Sequence, residues 1–262
     1  MAWVESVSPS FRARHDQADA DEADRILYSL ERTRDRLAQH FPKPGGELTV
    51  VLHRSTTSLV MARPVVPLAW ALTAPAARRY VAGWGGGGEL HVLTAAASET
   101  RASRVPGSRE MLALTAPALY ARTVVAQSNH ALPRRPGPRR IRAELRWAWL
   151  LEGAARWFAG QTEHARPAIA RRLREGPAPA FPPGVRDAAL LGGTVVDLLV
   201  REQGEQAAAD LACTLHPRGP DAALTTAFGD RPLRRTEDAW RSHLERISGS
   251  ARPRATSRPS RS

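Results

Sequence analysis

The feature that most constrains this chain is a change in hydrophobic period near residue 105. Before it lie short runs rich in β-branched residues, broken by glycine and proline; after it, apolar residues recur at helical spacing almost to the end. Residues 48–53, Leu-Thr-Val-Val-Leu-His, read as a strand. Residues 79–84 and 89–93 read as two more, and the four glycines at 85–88 between them permit the positive φ of a turn. Ahead of these, Ile26, Leu27, Leu30, Leu37 and Phe41 mark one face of a helix over 19–41, stopped by Pro42, Pro44, Gly45 and Gly46. Further helices are predicted at 115–131, 141–159, 166–174, 187–202, 205–215, 220–228 and 236–246, with Gly192 and Gly193 allowing close approach of a neighbouring backbone.

The fold class that follows is α+β: a small N-terminal mixed sheet with a helix, followed by a mainly helical half. Residues 19–247 are expected to form one domain, with an α/β lobe at 19–104 and a helical lobe at 105–247. Residues 1–18 are read as an N-terminal extension. Residues 248–262 are read as a disordered arginine-rich tail, carrying Arg252, Arg254, Arg258 and Arg261 without an acid.

Charge and cysteine usage bound the function. The net charge of +12 is almost all arginine, because Lys43 is the one lysine. Alanine, proline and glycine are also abundant, so biased composition accounts for the charge better than nucleic-acid binding does. Nucleic acid is therefore not the expected partner, although the loop bearing Arg134, Arg135, Arg139 and Arg140 keeps a nucleic-acid or acidic-partner binder open as an alternative. The single Cys213 excludes an internal disulfide framework and fits a reducing compartment, with the cytoplasm as the expected location. No run approaches the roughly 18 apolar residues of a membrane span, and the first residues do not read as a signal peptide.

Two segments carry possible chemistry. The first is Ala126-Gln127-Ser128-Asn129-His130; the second is Trp149-Leu150-Leu151-Glu152-Gly153-Ala154-Ala155-Arg156-Trp157. Together they resemble the gluzincin zinc metallopeptidases of the peptidase MA-like type, in which one helix bears H-E-x-x-H and a following helix bears W-L-x-E-G-x-A-x-aromatic. The resemblance spans about residues 20–245. In such a site two histidines at i and i+4 share a helix face and one zinc ion, a glutamate from the next helix is the third ligand, and the motif glutamate takes a proton from the zinc-bound water.

Carried over, the resemblance places His130 at the second histidine ligand and Glu152 at the glutamate ligand. Ala126 stands at the first histidine, where it has no donor atom, and Gln127 stands at the general base, where an amide accepts no proton. General-base loss alone costs about 100- to 10,000-fold in rate. The resemblance therefore implies a pseudoenzyme with no cofactor, its cleft kept for a peptide or protein ligand. The alternative is an active zinc hydrolase whose ligand set is completed by His91, His164 or His216. Read without the family, His130 is a helix-end histidine, and Glu152 is a buried acid paired with His130, Arg146 or Arg156. Gln127 would then hydrogen-bond Glu152, and Trp147, Trp149, Trp157 and Phe158 would pack between helices.

Overall fold

A computed structural model describes residues 3–42, 47–135 and 137–249. Strands β1 (Trp3–Val7), β2 (Phe11–Asp16), β3 (Leu48–His53), β4 (Gly83–Gly86) and β5 (Glu89–Leu93) form one mixed sheet in the order β1-β2-β3-β5-β4. The outer pairs, β1 with β2 and β4 with β5, are antiparallel; β2, β3 and β5 run parallel. Residues 1–18 are thus not a simple extension. Residues 3–16 supply two of the five strands, and the alternation of Phe11, Ala13 and His15 inward with Arg12 and Arg14 outward is what a half-covered strand requires.

In the sheet half the helices are α1 (Ala20–Ala38), α2 (Thr56–Ala62), α3 (Val66–Leu72), α4 (Pro75–Arg78), α5 (Ala95–Glu99) and α6 (Ser108–Ala113). The helical half comprises α7 (Thr115–Ser128), α8 (Pro138–Arg146), α9 (Ala148–Phe158), α10 (Gln161–His164) and α11 (Arg166–Arg174). It ends with α12 (Val185–Gln203), α13 (Glu205–Cys213), α14 (Pro220–Ala227) and α15 (Leu233–Ile247). The predicted helix at 141–159 is two helices, broken at Trp147 (φ −107°, ψ 16°). The predicted strand at 79–84 begins only at Gly83, because Pro75 starts a short helix just before it. Pro44, Gly45, Gly46 and the arginines of the tail lie outside the described residues. Among the described residues no helix is long and apolar enough to cross a membrane.

One sheet face, carrying Phe11, Ala13, Val50, Leu52, Leu90 and Val92, is buried against α1 and α7. The Phe11 ring meets Tyr120 of α7 edge-on at 4.9 Å. The second layer is built on α9 and α12, which cross at glycine. A Cβ on Gly153 would lie 2.4 Å from the Gly192 carbonyl carbon, and one on Gly192 would lie 2.3 Å from the Trp149 oxygen. A buried bidentate pair, Arg172 to Asp187 at 2.6 and 2.7 Å, fastens α11 to the start of α12.

The opposite sheet face buries a polar chain. The Glu89 carboxylate only accepts, so His91 Nε2 donates to it at 3.0 Å, and His91 Nδ1 then accepts from His53 Nε2 at 2.9 Å. Arg63 donates to the same carboxylate oxygen at 2.6 Å, and Arg14 stands 3.7 Å from the other. Burial, with the neighbouring His91 and Arg63 charges, pushes His53 down to about 4. A neutral imidazole is therefore favoured by folding. Its contribution is present above pH 6.5 and drains away as pH falls toward 4, by about 1.4 kcal/mol per unit. Urea midpoints at pH 7 and 4.5 should fall further apart in the parent than in His53→Gln, whose amide can still donate to His91.

Candidate functional site

A groove of about 350 Å³ opens between the sheet edge and the helical layer. Its walls are α3, β4, the first half of α7, α8, α9 and the start of α12. The walls are apolar, with Leu68 and Leu72 from α3, Leu119 from α7, Ile141 and Leu145 from α8, and Leu151 from α9.

Strand β4 matters because it is the edge of the sheet that borders the groove. The Leu93 amide donates to the Ala82 oxygen at 3.1 Å, and antiparallel bonded pairs alternate, so Trp84–His91 and Gly86–Glu89 are the paired positions. Main-chain groups of Gly83 and Gly85 accordingly point away from β5. Glycine is required at 83, where a Cβ would lie 2.5 Å from the His91 oxygen and 2.9 Å from Leu119. The hairpin turns at Gly87 and Gly88, whose φ values of 67° and 82° satisfy a two-residue turn with both central residues left-handed.

The floor is charged. Arg122 is the one charged residue of α7, and its Nε donates to Glu152 of α9 at 2.7 Å. Arg122 also reaches Glu144 of α8 at 3.4 Å, which accepts from Arg140 at 2.7 Å. Arg156, one turn beyond Glu152, approaches its second oxygen at 3.5 Å and donates to the buried Gln161 amide oxygen. Gln161 in turn donates to the Met111 carbonyl, so the chain of polar contacts ends on backbone. Burial works against ionising Glu152, but the Arg122 and Arg156 guanidiniums outweigh it and hold the carboxyl below its ordinary range. The same cluster keeps Arg122 charged against its own desolvation, because Glu152 and Glu144 both favour the cation. These side chains are about one-quarter exposed or less, so they sit at the bottom of the groove and still meet water.

The expected ligand residues are placed differently. Helix α7 ends at Ser128, Asn129 leaves helical geometry, and His130 follows it, exposed; Gln127 is also exposed, and Ala126 does not line the groove. The partners of Glu152 are Arg122 and Arg156, so a pairing of Glu152 with His130, Arg146 or Gln127 is corrected. The α7 residues that share the groove with Glu152 are Thr115, Ala118, Leu119 and Arg122, and the last three stand two turns earlier than the register read from the sequence. Nor do the other histidines approach: His91 belongs to the sheet chain, His164 stands beside Glu163, and His216 accepts from the Arg218 amide. Among the described residues no three His, Cys, Asp or Glu side chains are grouped to hold a metal ion. A zinc ion does not fit the floor, since both Glu152 oxygens already face guanidiniums and a guanidinium cannot ligate.

Trp147, Trp149 and Phe158 are buried, as interhelix packing requires, and Trp157 donates to Asp197 of α12 at 3.3 Å. Arg122 and Glu144 escaped the sequence reading, although a signal existed. Thr115, Ala118, Leu119 and Arg122 recur at i, i+3, i+4 and i+7, and a lone charge on an apolar helix calls for a partner. No protein-family model, curated protein or solved structure matches the chain.

Proposed function

We propose that this chain is a non-catalytic, metallopeptidase-like protein that holds an extended segment of a partner protein in the groove, against the edge of β4. The observation that carries the reading is the edge of β4, half-buried at Gly85, bordering an apolar groove whose two acids, Glu144 and Glu152, are already ion-paired with arginines. An added strand gains main-chain hydrogen bonds from such an edge and selectivity from the apolar walls. On the gluzincin resemblance, the ligand helix is α7 and its positions opposite Glu152 are Ala118, Leu119 and Arg122, none of which binds metal or accepts a proton. The structure of the floor therefore supports binding without cleavage. The single Cys213 supports a cytoplasmic setting.

The test uses labelled ten-residue peptides in which apolar residues alternate with neutral polar ones, followed by fluorescence anisotropy. Saturable binding is expected, with at least a tenfold loss when alternate peptide amides on one edge are N-methylated. Gly85→Pro should lose a similar factor, because it removes an outward donor and leaves the ladder to β5 intact. Its unfolding midpoint, measured alongside, should stay near that of the parent. Equal binding by the N-methylated peptide, or metal-dependent cleavage of the peptides, overturns the reading.

A further inference from the structure

We infer that the segment bound in the groove is acidic as well as apolar: an extended peptide whose alternating apolar residues are flanked by aspartate or glutamate facing α8. This deepens the peptide-groove reading and rests on it.

Exposed hydrophobic surface is concentrated on the groove. Five of the nine large apolar side chains that stand exposed among the described residues line this one groove: Val65, Leu68, Leu72, Ile141 and Leu145. Leu68 and Ile141 are each 58% exposed, on opposite walls. Apolar side chains scattered singly over a surface need no explanation, but a cluster on facing walls marks an interaction site.

The charged part comes from the α8 wall. Ile141 and Leu145 are one turn apart and form its apolar stripe, while Glu144 and Ala148 turn toward the floor. At helical spacing Arg142 flanks the stripe on the side away from the floor, with Arg139 and Arg146 beyond it. Arg134 and Arg135 enter from the preceding loop. Across residues 134–146 there are six arginines and one acid, Glu144, which Arg140 and Arg122 already share. Arg134, Arg135, Arg139 and Arg142 are exposed and have no acidic partner among the described residues. The facing wall is silent: residues 64–77 contain no charge at all. Both acids inside the groove, Glu144 and Glu152, are ion-paired, so nothing in it repels an acidic ligand, whereas a basic peptide would meet an uncompensated guanidinium row.

The experiment compares three labelled peptides of equal length on the intact protein. One alternates apolar residues with neutral polar ones, one carries two glutamates beside the same apolar positions, and one keeps the glutamates but replaces the apolar positions by serine. The acidic-apolar peptide is expected to bind about tenfold tighter than the neutral one at low salt, an advantage that shrinks as salt shortens the screening length from about 10 Å at 0.1 M to about 3 Å at 1 M. Arg139→Gln with Arg142→Gln should abolish that advantage and leave the neutral peptide's affinity unchanged.

Equal binding of the neutral and acidic-apolar peptides overturns this inference while leaving the peptide groove in place. Equal binding by the serine peptide shows a general polyanion surface and overturns it also. If vesicles of one part phosphatidylglycerol to three parts phosphatidylcholine retain the protein, and the acidic-apolar peptide does not compete, the surface is a membrane contact and the inference fails. If no peptide binds at all, the groove reading falls with it.

Discussion

Gly153→Ala should destabilise the protein by about 3 kcal/mol, seen as a large drop in urea midpoint. The sign is informative because helix propensity alone favours alanine over glycine in a helix interior by about 1 kcal/mol. In this chain the new methyl would sit 2.4 Å from the Gly192 carbon and 2.6 Å from its oxygen, both backbone atoms that no rotamer change can move. The α9–α12 crossing must open to admit it. Opening it would shift α9 and with it Glu152, so peptide binding should weaken in the same variant. A midpoint that rises instead would show that the two helices are not in contact at glycine.

Removing the floor carboxylate is the second large effect. Glu152→Ala should cost roughly 2–3 kcal/mol, below the usual 3–5 for breaking a buried pair because the floor still meets water. The loss comes from Arg122 and Arg156 being left without their shared acid, more than from the attraction itself. A double variant, Glu152→Leu with Arg122→Met, should recover most of that stability, since apolar groups of similar volume replace a buried pair at little cost. Equal destabilisation in the single and double variants would show that Glu152 acts through packing, and that the ion cluster does not organise the floor.

Much of the architecture was legible because it depends on period. Residues 48–53 and 89–93 form predicted strands and 166–174 the predicted helix, and Gly192 is where backbones approach, while Gly193 makes room for the Thr162 side chain. Strands β1 and β2 were missed although Phe11, Ala13 and His15 alternate with arginine, because a run rich in charge looks solvated until another strand pairs with it. The site was legible in one half. Glu152 and Gly153 do occupy a special place, but Gly153 serves the crossing with Gly192 and Glu152 faces arginine. The register of α7 was misread because His130 suggested a ligand position, whereas the helix stops two residues before it. Which face of a helix meets a neighbour is decided by packing thirty residues away, as between Arg122 and Glu152, and linear spacing does not encode that contact.

The central claim is that the floor of the groove is a closed ion cluster in which Arg122 and Arg156 occupy Glu152 and leave it no metal to ligate. The most direct test is metal content per chain after equilibration with zinc and removal of weakly held ions. It should be measured on the parent and on a variant combining Ala118→His, Leu119→Glu and Arg122→His, which sets the H-E-x-x-H pattern on the α7 face opposite Glu152. The account predicts far less than one zinc per chain in the parent and close to one in the variant. One tightly held zinc in the parent, lost in Glu152→Ala, would contradict it.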